Sequence, residues 1–150
     1  MPPDSPTPTL TQFLDACRQE FAFLRALGYA ELENPDPDDR FTVRFSNGVL
    51  TLSVHGENWG QHAGVTLVHA DGREAPVWWF VPVAERKIRP PITPTGFTQL
   101  DDIRITALTM SRYCRDVLAG DAAKFDAVAN EWRRVRDPRY RQSLQQRKLP

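Results

Sequence analysis

The clearest pattern of hydrophobic and polar positions lies in residues 40–55, where the two kinds alternate on either side of Asn47-Gly48. Asn-Gly favours a two-residue type I′ turn, because both central positions of that turn need positive φ. With this turn the apolar residues pair across two strands as Phe45 with Leu50, Val43 with Leu52, and Phe41 with Val54. The polar residues then share the opposite face: Thr42, Arg44, Thr51, Ser53 and His55. The pattern therefore predicts an antiparallel hairpin with one face that other elements must cover.

Three segments have apolar residues at helical spacing. The first begins at a capping box formed by Thr9 and Gln12 and ends at Gly28. The second begins at Thr98 and runs to residue 118, and the third begins at Asp121 and closes at residues 137–138. We expect the first helix and the two C-terminal helices to cover the apolar face of the hairpin.

Two further strands are predicted after the hairpin, over residues 63–70 and 75–83. The second is apolar on both faces, and Trp78 and Trp79 would point in opposite directions from it. The predicted fold class is therefore α+β: an N-terminal helix, an antiparallel sheet of about four strands, and two C-terminal helices packed on one sheet face.

The chain of 150 residues suits one domain. We expect a disordered, proline-rich lead-in at residues 1–8, a single α+β domain at 9–138, and a basic C-terminal tail at 139–150. Inside the domain, residues 31–39 form an acidic connector and residues 84–97 form a long irregular loop.

Charge and composition narrow the function classes. Lysine plus arginine and aspartate plus glutamate number 19 each, so the near-zero net charge argues against a nucleic-acid partner. No stretch approaches the roughly 20 apolar residues that span a bilayer, and residues 1–6 do not resemble a signal peptide. These features predict a cytoplasmic protein. Its two cysteines, Cys17 and Cys114, are expected to be buried, reduced thiols.

No local catalytic motif is present, so we predict no catalytic residue, metal or cofactor. The three histidines, His55, His62 and His69, are spaced by seven residues, which is not a metal-ligand pattern. Glu57 is the best candidate for an acid, since Asp101 and Asp102 are explained by the start of a helix.

The candidate interface consists of aromatic and basic residues: Trp59, His62, Trp78, Trp79, Arg133 and Arg136. Tryptophan and arginine are typical of the residues that dominate binding energy in interfaces. Burial of the tryptophans in the core, and a plain solvated helix end for the arginines, are the competing interpretations. The expected partner is another protein or a second copy of the chain in a homodimer.

Three features resemble a loose group of uncharacterised bacterial proteins that includes immunity-protein-like domains. They are the helix end at residues 23–29, the Asn-Gly hairpin, and residues 120–125 leading to Glu131-Trp132. The resemblance implies a non-enzymatic, toxin-neutralising or other protein-binding role, and it carries no functional residues to transfer. The Trp78-Trp79 segment and the proline-rich loop depart from that group.

The first functional hypothesis is therefore a non-catalytic protein-binding module. Its more specific form is an immunity-like protein that neutralises a toxin. The alternative is a small-molecule-binding protein or small enzyme with a pocket near the 56–64 and 84–97 loops.

Overall fold

The computed structural model describes residues 8–34, 40–57, 62–86, 98–137 and 139. Within these ranges the elements follow one another as α1 (Leu10–Glu20), a 3-10 helix (Ala22–Leu27), β1 (Ala30–Leu32), β2 (Thr42–Ser46), β3 (Leu50–Glu57), β4 (His62–His69), β5 (Glu74–Pro76), a second 3-10 helix (Val77–Phe80), α2 (Val83–Arg86), α3 (Gln99–Tyr113), α4 (Arg115–Leu118) and α5 (Ala122–Arg136). The α+β class is confirmed.

The strands form one antiparallel sheet whose spatial order is the order of the chain, β1 to β5. The sheet has five strands rather than about four, because residues 30–32 pair with β2. At the other end β5 pairs with β4 through only three residues, and α5 and the second 3-10 helix pack beside it.

The predicted register of the central hairpin is wrong by two residues. Phe45 pairs with Leu52 and Val43 with Val54, so residues 47–50 connect the last pair, Ser46 and Thr51. The side chain of Asn47 causes the longer connection, since its Oδ1 accepts the N–H groups of residues 49 and 50 at 2.9 and 2.8 Å. Gly48 follows with a φ of 92°. A shift by an even number of residues keeps every side chain on its own face, so the predicted apolar face is correct.

One core lies between the sheet and the helices. From the sheet it takes the inward residues Val43, Phe45, Leu50, Leu52, Val54, Val65 and Leu67. From the helices it takes Phe13, Cys17, Ile103, Met110, Phe125 and Ala129, among others. The ring of Phe21 lies 6.0 Å from that of Phe45, and the buried Tyr29 hydroxyl donates to the Leu118 carbonyl at 3.0 Å.

Local sequence signals account for the helix ends. Both predicted capping boxes are formed, Thr9 with Gln12 at α1 and Thr98 with Asp101 at α3. The helix predicted from residue 98 to residue 118 is divided at Cys114 into α3 and the short α4.

The predicted strand over residues 75–83 is wrong beyond Pro76. Residues 77–80 form a 3-10 helix, in which Val77 and Phe80 are one turn apart and both buried. Pro76 has no N–H to continue the ladder, so pairing with β4 stops there. Trp78 and Trp79 are each half-buried rather than placed on opposite faces of a strand.

Several sequence predictions concern residues outside the described ranges. These are the lead-in at 1–7, the centre of the acidic connector at 35–39, most of the irregular loop at 87–97, and the basic tail from residue 140. Among the residues that are described, no helix has the length and apolarity needed to cross a membrane.

Burial alters the acid–base behaviour of three core groups. It raises the pKa of the Cys17 and Cys114 thiols from 9.0 to about 12, and that of the Tyr29 hydroxyl from 10.0 to about 12. Both cysteines are free and buried, as the sequence predicted.

We therefore expect the free energy of unfolding to fall as the pH rises from about 9 to 12. Below the pKa that the thiols have in the unfolded chain, the folded and the unfolded state both keep the thiol protons. The free energy of unfolding then has its full value. Above that pKa the unfolded chain loses protons first, so unfolding becomes more favourable. Urea titrations at a series of pH values measure the slope. The double variant Cys17→Ala/Cys114→Ala should show a shallower slope than the wild-type protein, and equal slopes would contradict this assignment.

Candidate functional site

The candidate interface residues fall into two places. His62 opens β4 and lies against the N-terminal turn of α3, where its Nδ1 is 3.8 Å from Oδ2 of Asp102. The Asp102 side chain is only 6% exposed, and the same oxygen accepts the N–H of Ala63 at 2.9 Å. A carboxylate in the first turns of a helix is also stabilised by the helix dipole. Asp102 therefore joins the start of β4 to α3.

Gln99 strengthens the same junction. Its Nε2 donates to the His62 carbonyl at 2.9 Å, and the residue is almost completely buried. The end of β3 must leave room for it, because a Cβ on Gly56 would lie 2.5 Å from that nitrogen. The start of a helix was the only role predicted for the carboxylates of residues 101 and 102. The links that Asp102 and Gln99 make between helix and sheet were not predicted.

The second place lies where α5 crosses the β5 end of the sheet. Trp79 and Trp132 meet edge to face, with ring centroids 5.1 Å apart and planes at 66°. The guanidinium carbon of Arg136 lies 5.5 Å from the Trp132 ring centroid, and its Nη1 donates to Glu74 at 3.2 Å. Trp132 is thus held between an aromatic ring and a cation.

A groove of about 270 Å³ adjoins this group, between the turn before β5 and α5. Arg133 and Arg136 line its α5 side, while Asp71 and Arg73 line the turn. Hydrogen bonds from Arg73 lower the pKa of Asp71 to about 2, and Arg73 also pairs with Asp126 on α5. The carboxylate of Asp71 is therefore ionised, and both of its oxygens already accept hydrogen bonds from Arg73.

Arg133 differs from its neighbours in the groove. Its side chain is exposed and makes no hydrogen bond or ion pair with any described residue. Arg134, by contrast, binds Glu131 at 2.6 Å, and Arg136 binds Glu74. We call Trp79, Trp132, Arg133 and Arg136 the Trp–Arg face.

The structure thus brings together three of the six predicted interface residues: Trp79, Arg133 and Arg136. Trp78 adjoins Trp79 in the chain, and Trp59 lies outside the described residues. No described contact joins His62 to the Trp–Arg face. Trp132 was not among the predicted interface residues; it packs against the edge of the core, and its spacing of four from Arg136 on a helix is the signal that could have indicated their contact.

A serine and a histidine also meet on the open face of the sheet. Ser53 Oγ lies 2.8 Å from Nε2 of His55, and Thr42 Oγ1 lies 3.1 Å from its Nδ1. A nucleophile needs a base that a third group orients, and N–H donors for the oxyanion. Here the third group is a hydroxyl, and β3 is paired with β2 and β4 on both sides. The arrangement fixes the His55 ring on the sheet, and we assign it no nucleophilic role.

No cluster of three or more histidine, cysteine, aspartate or glutamate side chains within the described ranges could hold a metal ion. The carboxyl group of Glu57, the candidate acid, lies outside the described side chains. Residues 58–61 and 87–97 also lie outside the described residues. The hypothesis of a pocket near the 56–64 and 84–97 loops therefore stays a prediction.

Comparison with models of protein families, with curated proteins and with solved structures gives no match to this chain. The immunity-like resemblance therefore stays a prediction.

We expect Asp102→Ala to lower the free energy of unfolding by about 1–3 kcal/mol, because the buried N–H of Ala63 loses its acceptor. Asp102→Asn keeps an acceptor oxygen and should lose less. Asp15→Ala removes an exposed carboxylate from α1 and serves as the control. Urea denaturation measures all three variants, and equal stability of Asp102→Ala and the control would contradict the role of this hydrogen bond.

Proposed function

We propose that this protein is a non-catalytic protein-binding module and that it binds through the Trp–Arg face. The observation that supports this most is the contact of the Trp132 ring with both Trp79 and Arg136, next in the chain to Arg133, which pairs with no described residue. A ring held in place before binding loses little conformational entropy when a partner covers it. Tryptophan and arginine are also the residues whose removal weakens interfaces most.

The charges indicate the chemistry of the partner. Arg133, Arg134, Arg136 and Arg139 follow one another along the end of α5 and just beyond it, and all are exposed. The carboxylates of Glu74 and Glu131 are already engaged with Arg136 and Arg134. Arg133 pairs with no described residue, so its guanidinium can bind a carboxylate from outside. A protein with an acidic surface fits this face, because complementary charge speeds association and fixes orientation.

The immunity-like resemblance makes a toxin with an acidic surface one candidate for this partner. Neutralising a toxin requires only a stable bound surface that blocks its working region. No catalytic group of the present chain takes part in that function.

Photo-crosslinking can identify the partner in cells that make this protein. A benzoylphenylalanine at position 130, an exposed position that lines the same groove and leaves Arg133 in place, should capture one discrete protein with an acidic surface. The same probe at position 25, on the first 3-10 helix, is the control because that position is also exposed. Capture of the same proteins at both positions would indicate contact without specificity.

With the purified partner, Arg133→Glu should weaken binding about tenfold or more, because it places like charges opposite each other. Trp132→Ala should weaken binding to a similar degree by removing the fixed aromatic ring. Arg115→Glu makes the same charge change on α4 and should leave the affinity unchanged. Isothermal titration calorimetry measures each affinity. Equal effects of Arg133→Glu and Arg115→Glu would mean that net charge, and not the Trp–Arg face, determines binding.

A further inference from the structure

Helix α3 has a buried side and an outer side with a distinct pattern. Its buried residues are Gln99, Asp102, Ile103, Thr106, Ala107 and Met110. On the outer side Asp101, Ile105, Leu108 and Arg112 are spaced by four, three and four residues. At 3.6 residues per turn these four positions fall within an arc of about 60° and form a nearly straight line along the helix. We call these four residues the α3 stripe.

The centre of the α3 stripe is apolar and exposed. Leu108 is 64% exposed and Ile105 is 41% exposed. Among the described residues the other large hydrophobic side chains with comparable exposure are Leu32, Val49 and Val83, which lie in three different elements or turns. The pair on α3 therefore stands out, because two such side chains adjoin each other on a single helix face.

The two ends of the α3 stripe carry opposite charges, and each is only partly used by contacts within the chain. At the N-terminal end, Oδ2 of Asp101 completes the capping box, and Oδ1 lies 3.8 Å from Arg104. At the other end the Arg112 side chain is 72% exposed and lies 3.8 Å from Glu85. Both ion pairs are long, so Oδ1 of Asp101 can accept a closer donor while Oδ2 keeps the capping box, and the exposed guanidinium of Arg112 can bind a closer carboxylate.

We propose that a second copy of this chain docks on the α3 stripe, with the two α3 helices antiparallel about a two-fold axis between positions 106 and 107. In this arrangement Asp101 of each copy faces Arg112 of the other, and Ile105 faces Leu108. The 4-3-4 spacing is the same when it is read backwards, so one stripe matches the reversed stripe along its length. The spacing is also that of the core positions in coiled coils, which allows the side chains to interlock.

Self-complementarity is what favours a second copy over a different protein. An isologous interface requires that each residue on one side of the axis finds its complement on the other side. The α3 stripe satisfies this condition in charge and in apolar character, with the acid and the base at equal distances from the axis. The antiparallel arrangement also opposes the two helix dipoles.

The resulting dimer should be weak. The α3 stripe covers about three turns of one helix, so its interface is smaller than the roughly 1,600 Å² of a standard stable complex. We expect a monomer–dimer equilibrium that depends on concentration. This interface shares no residue with the Trp–Arg face, so the two proposals can fail separately.

Sedimentation equilibrium over a range of protein concentrations tests the proposal. The wild-type protein should approach the dimer mass as its concentration rises. Arg112→Glu and Asp101→Arg each place like charges opposite each other at both ends, and each should raise the dissociation constant about tenfold or more. Arg25→Glu makes the same kind of charge change away from the stripe and should leave the equilibrium unchanged.

Mixing the two variants provides the decisive comparison. In an equimolar mixture of Arg112→Glu and Asp101→Arg, a heterodimer places opposite charges together at both ends, so dimers should reappear. Because Asp101→Arg removes half of the capping box, circular dichroism must first show that it is folded. If Asp101→Arg does not fold, Arg112→Glu alone tests the proposal. The Arg112 side chain is exposed, so we expect this variant to fold like the wild-type protein.

Three results would overturn the proposal: a wild-type protein that stays monomeric up to about 1 mM, which excludes even weak self-association; a dimer that persists in Arg112→Glu; or a mixture of folded variants that forms no heterodimer. Arg133→Glu should not alter self-association. An effect of that variant would place the contact between copies on the Trp–Arg face instead.

Discussion

The structure depends above all on covering one face of the antiparallel sheet. The inward residues of β2, β3 and β4 are apolar at alternate positions, and their exposure to water would remove the main driving force for folding. Helices α1, α3 and α5 supply the cover, each through residues at three- and four-residue spacing. The polar residues of the same strands are left on the open face, where hydroxyl groups from Thr42 and Ser53 hold the ring of His55.

The same constraint determines what the helices show to solvent. Helix α3 packs against α1, β4 and the second 3-10 helix through its buried side, while Ile105 and Leu108 on its outer side stay exposed among the described residues. The last turns of α5 lie beside the short strand β5, where Arg136 binds Glu74 at the edge of the core. There Trp132 is only half-buried and packs on Trp79 and Arg136. Both proposed binding surfaces thus lie on helix sides that the sheet leaves exposed or only partly covered.

Polar contacts keep the helices in register with the sheet. Asp102 and Gln99 bind the backbone at the start of β4, and Tyr29 binds the backbone at the end of α4. These contacts are directional, whereas apolar burial is not, so they select one orientation of each helix among several that would bury similar area. The positions of the α3 stripe and of the Trp–Arg face depend on that orientation.

Local pattern alone determined much of this protein. Alternation in residues 41–54 identified the buried face, and the side chains of Thr9 and Thr98 identified two helix starts, because these signals act between near neighbours. Tertiary packing, together with local hydrogen bonds that the hydrophobic pattern does not reveal, decided the rest. Asn47 lengthened the hairpin connection through its own hydrogen bonds, which shifted the pairing by two residues without changing the buried face. Val77 and Phe80 formed a 3-10 turn where an apolar run resembled a strand, since β5 had no pairing to continue beyond Pro76. The contact of Trp132 with Trp79 and that of Asp102 with Ala63 join residues distant in the chain, so only the tertiary packing could reveal them.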